Sequence, residues 1–106
     1  MARYLKYWWR RDSSIDPATF TGKYYRVEYD WLLRVVLVEE YDTQRVHQGT
    51  TRFEWRFAKL AKSTTYSADG QLLSYHIYRY GWLGNLLGVE KRLPNGELVQ
   101  FMAEDI

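Results

Sequence analysis

The sequence predicts an all-β domain: a mainly antiparallel meander, forming a curled sheet or a small barrel or roll, with a short N-terminal helix or arm. Three observations carry that expectation. Residues 53–57 alternate aromatic and charged, with Phe53, Trp55 and Phe57 against Arg52, Glu54 and Arg56, which is the pattern of a half-buried strand. Strand-like runs recur about every 8–12 residues along the chain. Asp69-Gly70 and Asn95-Gly96 stand between such runs, and both dipeptides suit the positive φ of a two-residue hairpin turn.

The elements follow in order. Residues 1–22 form a basic and aromatic arm, and residues 23–106 form the β body, together one small domain. In the arm, Tyr4, Leu5, Trp8 and Trp9 share a face at helical period, away from Arg3, Lys6 and Arg10. A short helix or irregular arm docked through its aromatics is expected. Asp12-Ser13-Ser14 is a loop, and Asp16-Pro17 suits a helix start of one turn before Gly22. From Lys23, Tyr25, Val27, Tyr29 and Trp31 alternate with Tyr24, Arg26, Glu28 and Asp30. Leu32–Val38 is apolar on both faces apart from Arg34, as a central strand would be. Residues 43–51 are a polar connection. A helix at 55–62 competes with the strand, because Ala58, Leu60 and Ala61 are good helix formers. Leu73, Tyr75 and Ile77 begin a strand running through Tyr80, and 86–93 and 97–103 complete the set.

Composition explains why such a chain folds. The 106 residues include 5 Trp, 10 Tyr and 4 Phe, each able to remove roughly 150–250 Å² from water. There is no cysteine, which excludes disulfides, thiolate metal sites and a cysteine nucleophile. The net charge of +2 is uneven: Arg3, Lys6, Arg10 and Arg11 precede the first acid, so the rest of the chain is slightly acidic. A domain-wide footprint for nucleic acid is not expected. No transmembrane stretch or secretory leader is legible, which points to the cytoplasm. The arm could still touch an anionic membrane surface or an acidic counter-charge such as Glu104-Asp105.

Glu28-Tyr29-Asp30 recurs as Glu40-Tyr41-Asp42, each followed by an Arg-Val pair. Tyr66 leads to Asp69-Gly70-Gln71-Leu72, and Pro94 to Asn95-Gly96-Glu97-Leu98. These segments resemble the tyrosine–aspartate hairpin repeats of Rhs-type β-shell proteins and related small antitoxin repeats. The resemblance implies a β-hairpin scaffold and a role in a toxin–immunity or surface system, and it carries over no catalytic residue.

No constellation in the sequence points to catalysis, a metal or a cofactor. His47 and His76 have no ligand spacing, and no serine sits in a nucleophile elbow. Glu39 and Glu40 point to opposite faces of a strand. Glu28 and Glu90 are the acids best placed among aromatics for acid–base work, with an ion-paired surface role the ordinary alternative. Gly81–Gly88 is glycine-rich and apolar without phosphate-loop spacing. It is either an exposed Trp–Leu contact surface or a wide loop closing the core. Tyr78-Arg79-Tyr80 and Tyr7–Arg11 are the places where single-stranded nucleic acid could stack.

The expected function is a non-catalytic interaction module that contacts a protein partner or a second copy through exposed aromatics. The candidate anchors are Trp8, Trp9, Trp82 and Leu83, with Arg79. The rivals are a small-ligand-binding roll with an aromatic cavity, possibly enzymatic, and a single-strand nucleic-acid binder.

Overall fold

A computed structural model describes residues 1–103. They form one eight-stranded antiparallel sheet in which every strand pairs with its neighbours in sequence: β1 (Ala2–Leu5), β2 (Tyr24–Tyr29), β3 (Val35–Tyr41), β4 (His47–Arg56), β5 (Lys59–Ser67), β6 (Leu72–Tyr80), β7 (Leu86–Arg92) and β8 (Leu98–Ala103). The sheet is open, and the molecule is elongated at 46 × 30 × 24 Å. Glu104 and Asp105, the expected counter-charge to the arm, lie outside the described residues.

Several boundaries differ from expectation. There is no helix among the described residues. Ala2–Leu5 is a strand, because pairing with β2 satisfies its backbone. The Asp16-Pro17 segment makes the one expected turn, with the Phe20 amide donating to the Asp16 carbonyl at 2.9 Å. Leu32 and Leu33 belong to a turn, and the central strand starts at Val35. The polar connection is shorter than expected, since His47–Thr51 already pair with β3. The helix at 55–62 is replaced by a hairpin. Lys59–Ser67 pairs with strands on both sides, and two ladders outweigh a helix propensity of a few tenths of a kcal/mol per residue, roughly.

Five of the six hairpins share one turn, a three-residue loop closed by a bulge. Its fourth residue donates its amide to the first residue's carbonyl, and the first residue's amide donates to the fifth residue's carbonyl. In the 30–34 turn these bonds are 2.9 and 3.0 Å, and the pattern repeats at 42–46, 67–71, 81–85 and 93–97. The fourth residue must adopt positive φ: Leu33 at 63°, Arg45 at 67°, and Gly70, Gly84 and Gly96 at 88–89°. Asp69 and Asn95 stay at negative φ, so these are not two-residue turns. The Gly81–Gly88 segment is likewise no wide loop, because β7 resumes at Leu86.

The echo between the first two turns extends to their hydrogen bonds. One carboxylate oxygen of Asp30 accepts the Leu32 and Arg34 amides at 2.9 Å each. Asp42 accepts the Gln44 and Val46 amides at 2.8 and 2.9 Å. Short side-chain acceptors there fix the turn as the backbone would.

The shared left-handed position gives a paired expectation. A Cβ at Gly70 would meet nothing within 4 Å, so Gly70→Ala costs only backbone strain, about 1 kcal/mol. Leu33→Gly relieves the same strain but gives up chain entropy and the more than half of the Leu33 side chain that is buried, so its net cost is about 1 kcal/mol or less. Urea denaturation should show a loss for Gly70→Ala and no gain for Leu33→Gly.

Residues paired across a ladder share a face. Val27, Val38, Thr51, Thr65 and Ser74 are successive partners, so they line one inner face. The fully or nearly buried core sits at its N-terminal half: Leu5, Val27, Tyr29 and Val38, with Trp8, Tyr25, Val35 and Phe53 packed around them. The arm crosses this half and sets Trp8 on Phe53, ring centroids 5.6 Å apart at 30°. Beside this core the inner face is an open groove of about 720 Å³ that runs from β2 and β3 across to β7, lined by Glu40, Thr51, Ser63, His76, Tyr78 and Val89 among others.

Candidate functional site

Consecutive hairpins of a meander turn at opposite ends of the sheet. The 30–34, 57–58 and 81–85 turns therefore share one end, and the 42–46, 67–71 and 93–97 turns share the other. The chemistry of the two ends differs. At the first end Trp31 is 86 %, Phe57 88 % and Trp82 94 % exposed, and Leu32, Leu33 and Leu83 are exposed beside them. At the second end the turns carry Thr43, Gln44, Asp69, Asn95 and Glu97; Val46 is the one large apolar side chain exposed within them among the described residues, and Leu72, Leu73 and Leu98 are exposed less fully where β6 and β8 begin.

The three apolar turns are contiguous. A cleft of about 450 Å³ between the first two is lined by Leu32, Arg34, Phe57 and Ala58. One of about 380 Å³ between the second and third is lined by Phe57, Lys59, Tyr80 and Trp82 among others. Arg34 donates to the Phe57 carbonyl, which ties the first turn to the second. Neighbouring strands are about 4.8 Å apart, so the row spans roughly 20 Å.

The first turn is held from behind, which frees its apolar side chains to project. Asp30 holds the first turn and also accepts from Arg34 Nε at 2.7 Å. Burial pushes the Asp30 carboxyl up, but the Arg34 amide and guanidinium and the Leu32 amide outweigh it, so it stays below its usual range. The Arg11 guanidinium reaches the Leu33 carbonyl at 3.5 Å, which brings the arm to this same end. Among the described residues, no carboxylate pairs with Arg11, Arg56 or Lys59. Asp30 is held by Arg34, Asp12 by Arg10, and Glu54 faces Lys62 across the ladder.

The expected anchors separate in space. Trp82 and Leu83 lie on the apolar end. Trp9 is 61 % exposed on the arm, edge-on to Trp8. Trp8 turns inward to the core. Arg79 lies elsewhere, donating to Glu90 at 2.6 Å, and Arg92 holds the same carboxylate at 2.7 Å. These two arginines keep the Glu90 carboxyl below its usual range. Tyr78 lines the inner groove, so the sheet separates it from Arg79. Sequence reasoning placed Trp31 in a strand alternation and Phe57 in a strand with the core; both are turn residues facing solvent. Their signal was spacing: 31, 57 and 82 are about two hairpins apart.

The inner groove holds less chemistry. Among the described residues its one carboxylate, Glu40, is ion-paired with Lys23. Ser63 is buried, with its hydroxyl 3.5 Å from that of Tyr78. Among the described residues, no group of three or more metal-ligating side chains gathers. Burial, and secondly Lys91, lower the His76 pKa below its ordinary value near 6.5. The folded state thus binds its proton less readily than the unfolded chain. That stability is complete above the unfolded pKa and is lost as pH falls through it. As pH falls below about 6.5 the melting temperature should fall, and His76→Gln should flatten that slope.

No helix of the described residues is long and apolar enough to cross a membrane. Comparison with known proteins finds no matching family model, no similar curated protein and no similar solved structure.

Proposed function

We propose that the protein is a non-catalytic interaction module that docks through the apolar end of its sheet. The observation that carries this reading is that the three most exposed aromatic side chains, Trp31, Phe57 and Trp82, sit one on each of the three turns at one end, with Leu32, Leu33 and Leu83 exposed beside them. Large apolar side chains held in water cost about 1.5–3 kcal/mol each relative to burial. Contiguous apolar patches on soluble domains mark contact surfaces. Trp is also the residue most enriched among interface anchors. The 30–34 and 81–85 turns do not need these residues: the same turn forms at the other end with Thr43, Gln44, Asp69 and Asn95. Tight bracing by Asp30 and Arg34 adds rigidity, which lowers the entropy lost on docking.

Because the chain lacks cysteine, Trp82→Cys and Asp69→Cys each accept one polarity-sensitive fluorophore, one at each end. The label at 82 should shift to the blue in a concentrated solution of the protein or in whole-cell lysate, and the label at 69 should not. No shift at 82, or equal shifts at both ends, contradicts the reading.

A further inference from the structure

We infer that the surface covered by the apolar end is an anionic lipid bilayer. This deepens the docking proposal and rests on it. Three observations favour lipid over a protein pocket. The row stands out into solvent: Trp31, Phe57 and Trp82 are each more than four-fifths exposed, and the clefts between neighbouring turns are open ones rather than a single enclosing pocket. Its residue types are those of a membrane interface, where Trp sits at headgroup level and Phe and Leu reach the acyl boundary. Its charge is one-sided. Arg56 and Lys59 flank the Phe57 tip, and Arg11 stands behind the first turn. Among the described residues none of the three is ion-paired, whereas Asp30 is held by Arg34.

The geometry then follows. The strands stand away from the surface, and the three tips enter the interface along a line of roughly 20 Å. The cations meet the phosphate layer just behind them. The polar end, with Asp42, Asp69 and Glu97, points to water. Neither set of residues suffices alone: a few side chains give weak, reversible insertion, and a few cations add only modest attraction.

Vesicles of phosphatidylcholine alone, and of phosphatidylcholine with about one-third phosphatidylserine, test this by sedimentation. The protein should partition to the anionic vesicles and only weakly to the neutral ones. Trp31→Ser, Phe57→Asn and Trp82→Ser combined should lower partitioning at least about thirtyfold. Arg56→Gln with Lys59→Gln should lower it about fivefold per charge on anionic vesicles and leave neutral ones unchanged. The fluorophore at position 82, not that at 69, should shift on the anionic vesicles, which reads insertion without deleting the whole row. Absence of partitioning, or equal partitioning of the triple variant, overturns the lipid assignment. If the label at 82 shifts in vesicle-free concentrated protein or clarified lysate but not on vesicles, the end docks on protein. The lipid inference then fails while the docking reading stands. If it shifts nowhere, both fail.

Discussion

Replacing Leu5 with alanine is expected to lower the unfolding free energy by about 3 kcal/mol. Leu5 is fully buried although it ends a four-residue edge strand. It reaches that state because the arm turns back over it. Leu5 forms an isolated bridge with Ser14, and the Lys6 amide donates to the Ser13 carbonyl at 2.9 Å. Its side chain then closes on Val27, Tyr29 and Val38. That cluster supplies most of the buried apolar residues, and the β5–β8 half has no second one among the described residues. The loss should appear as a melting temperature lower by about 15 °C in a domain of this size. A change below about 1 kcal/mol would mean that the arm does not close the core.

Trp8→Ala should cost about 2 kcal/mol, less than a wholly buried tryptophan because Trp8 keeps part of its surface in water. Its ring lies on Phe53 and so joins the arm to β4, three strands from the edge where the arm begins. Such stacked pairs contribute about 0.5–1.5 kcal/mol beyond area. Trp9→Ala should cost under about 0.5 kcal/mol, since Trp9 is mostly solvent-exposed. Denaturation of the pair separates the arm's structural tryptophan from its exposed one. Equal costs would contradict that division.

The sequence made the β class legible because alternation survives wherever one face is buried. Phe53 and Trp55, and Val27 and Tyr29, lie where their period places them. It failed where the chain turns. Leu32-Leu33 is an apolar pair in a turn, since Asp30 accepts two turn amides and holds it there. Phe57 continues a perfect alternation by one residue too many, into positive φ at the hairpin. In β5 the inward residues are Ser63 and Thr65, so a buried strand carries no apolar period to reveal it. The apolar end was half legible. Trp82 and Leu83 stood out beside glycines, whereas Trp31 and Phe57 were absorbed into strand patterns. Only the register shows that the three lie side by side.

The central claim is that this row serves contact and not the fold. The calorimetric melt of the combined Trp31→Ser, Phe57→Asn and Trp82→Ser variant tests it most directly. Asparagine at 57 tolerates the left-handed backbone. A cooperative transition within about 2 °C of the parent is expected, because the three side chains are 86–94 % exposed. A fall of about 10 °C or more, or loss of the cooperative transition, would show that these residues hold the sheet together and would contradict the account.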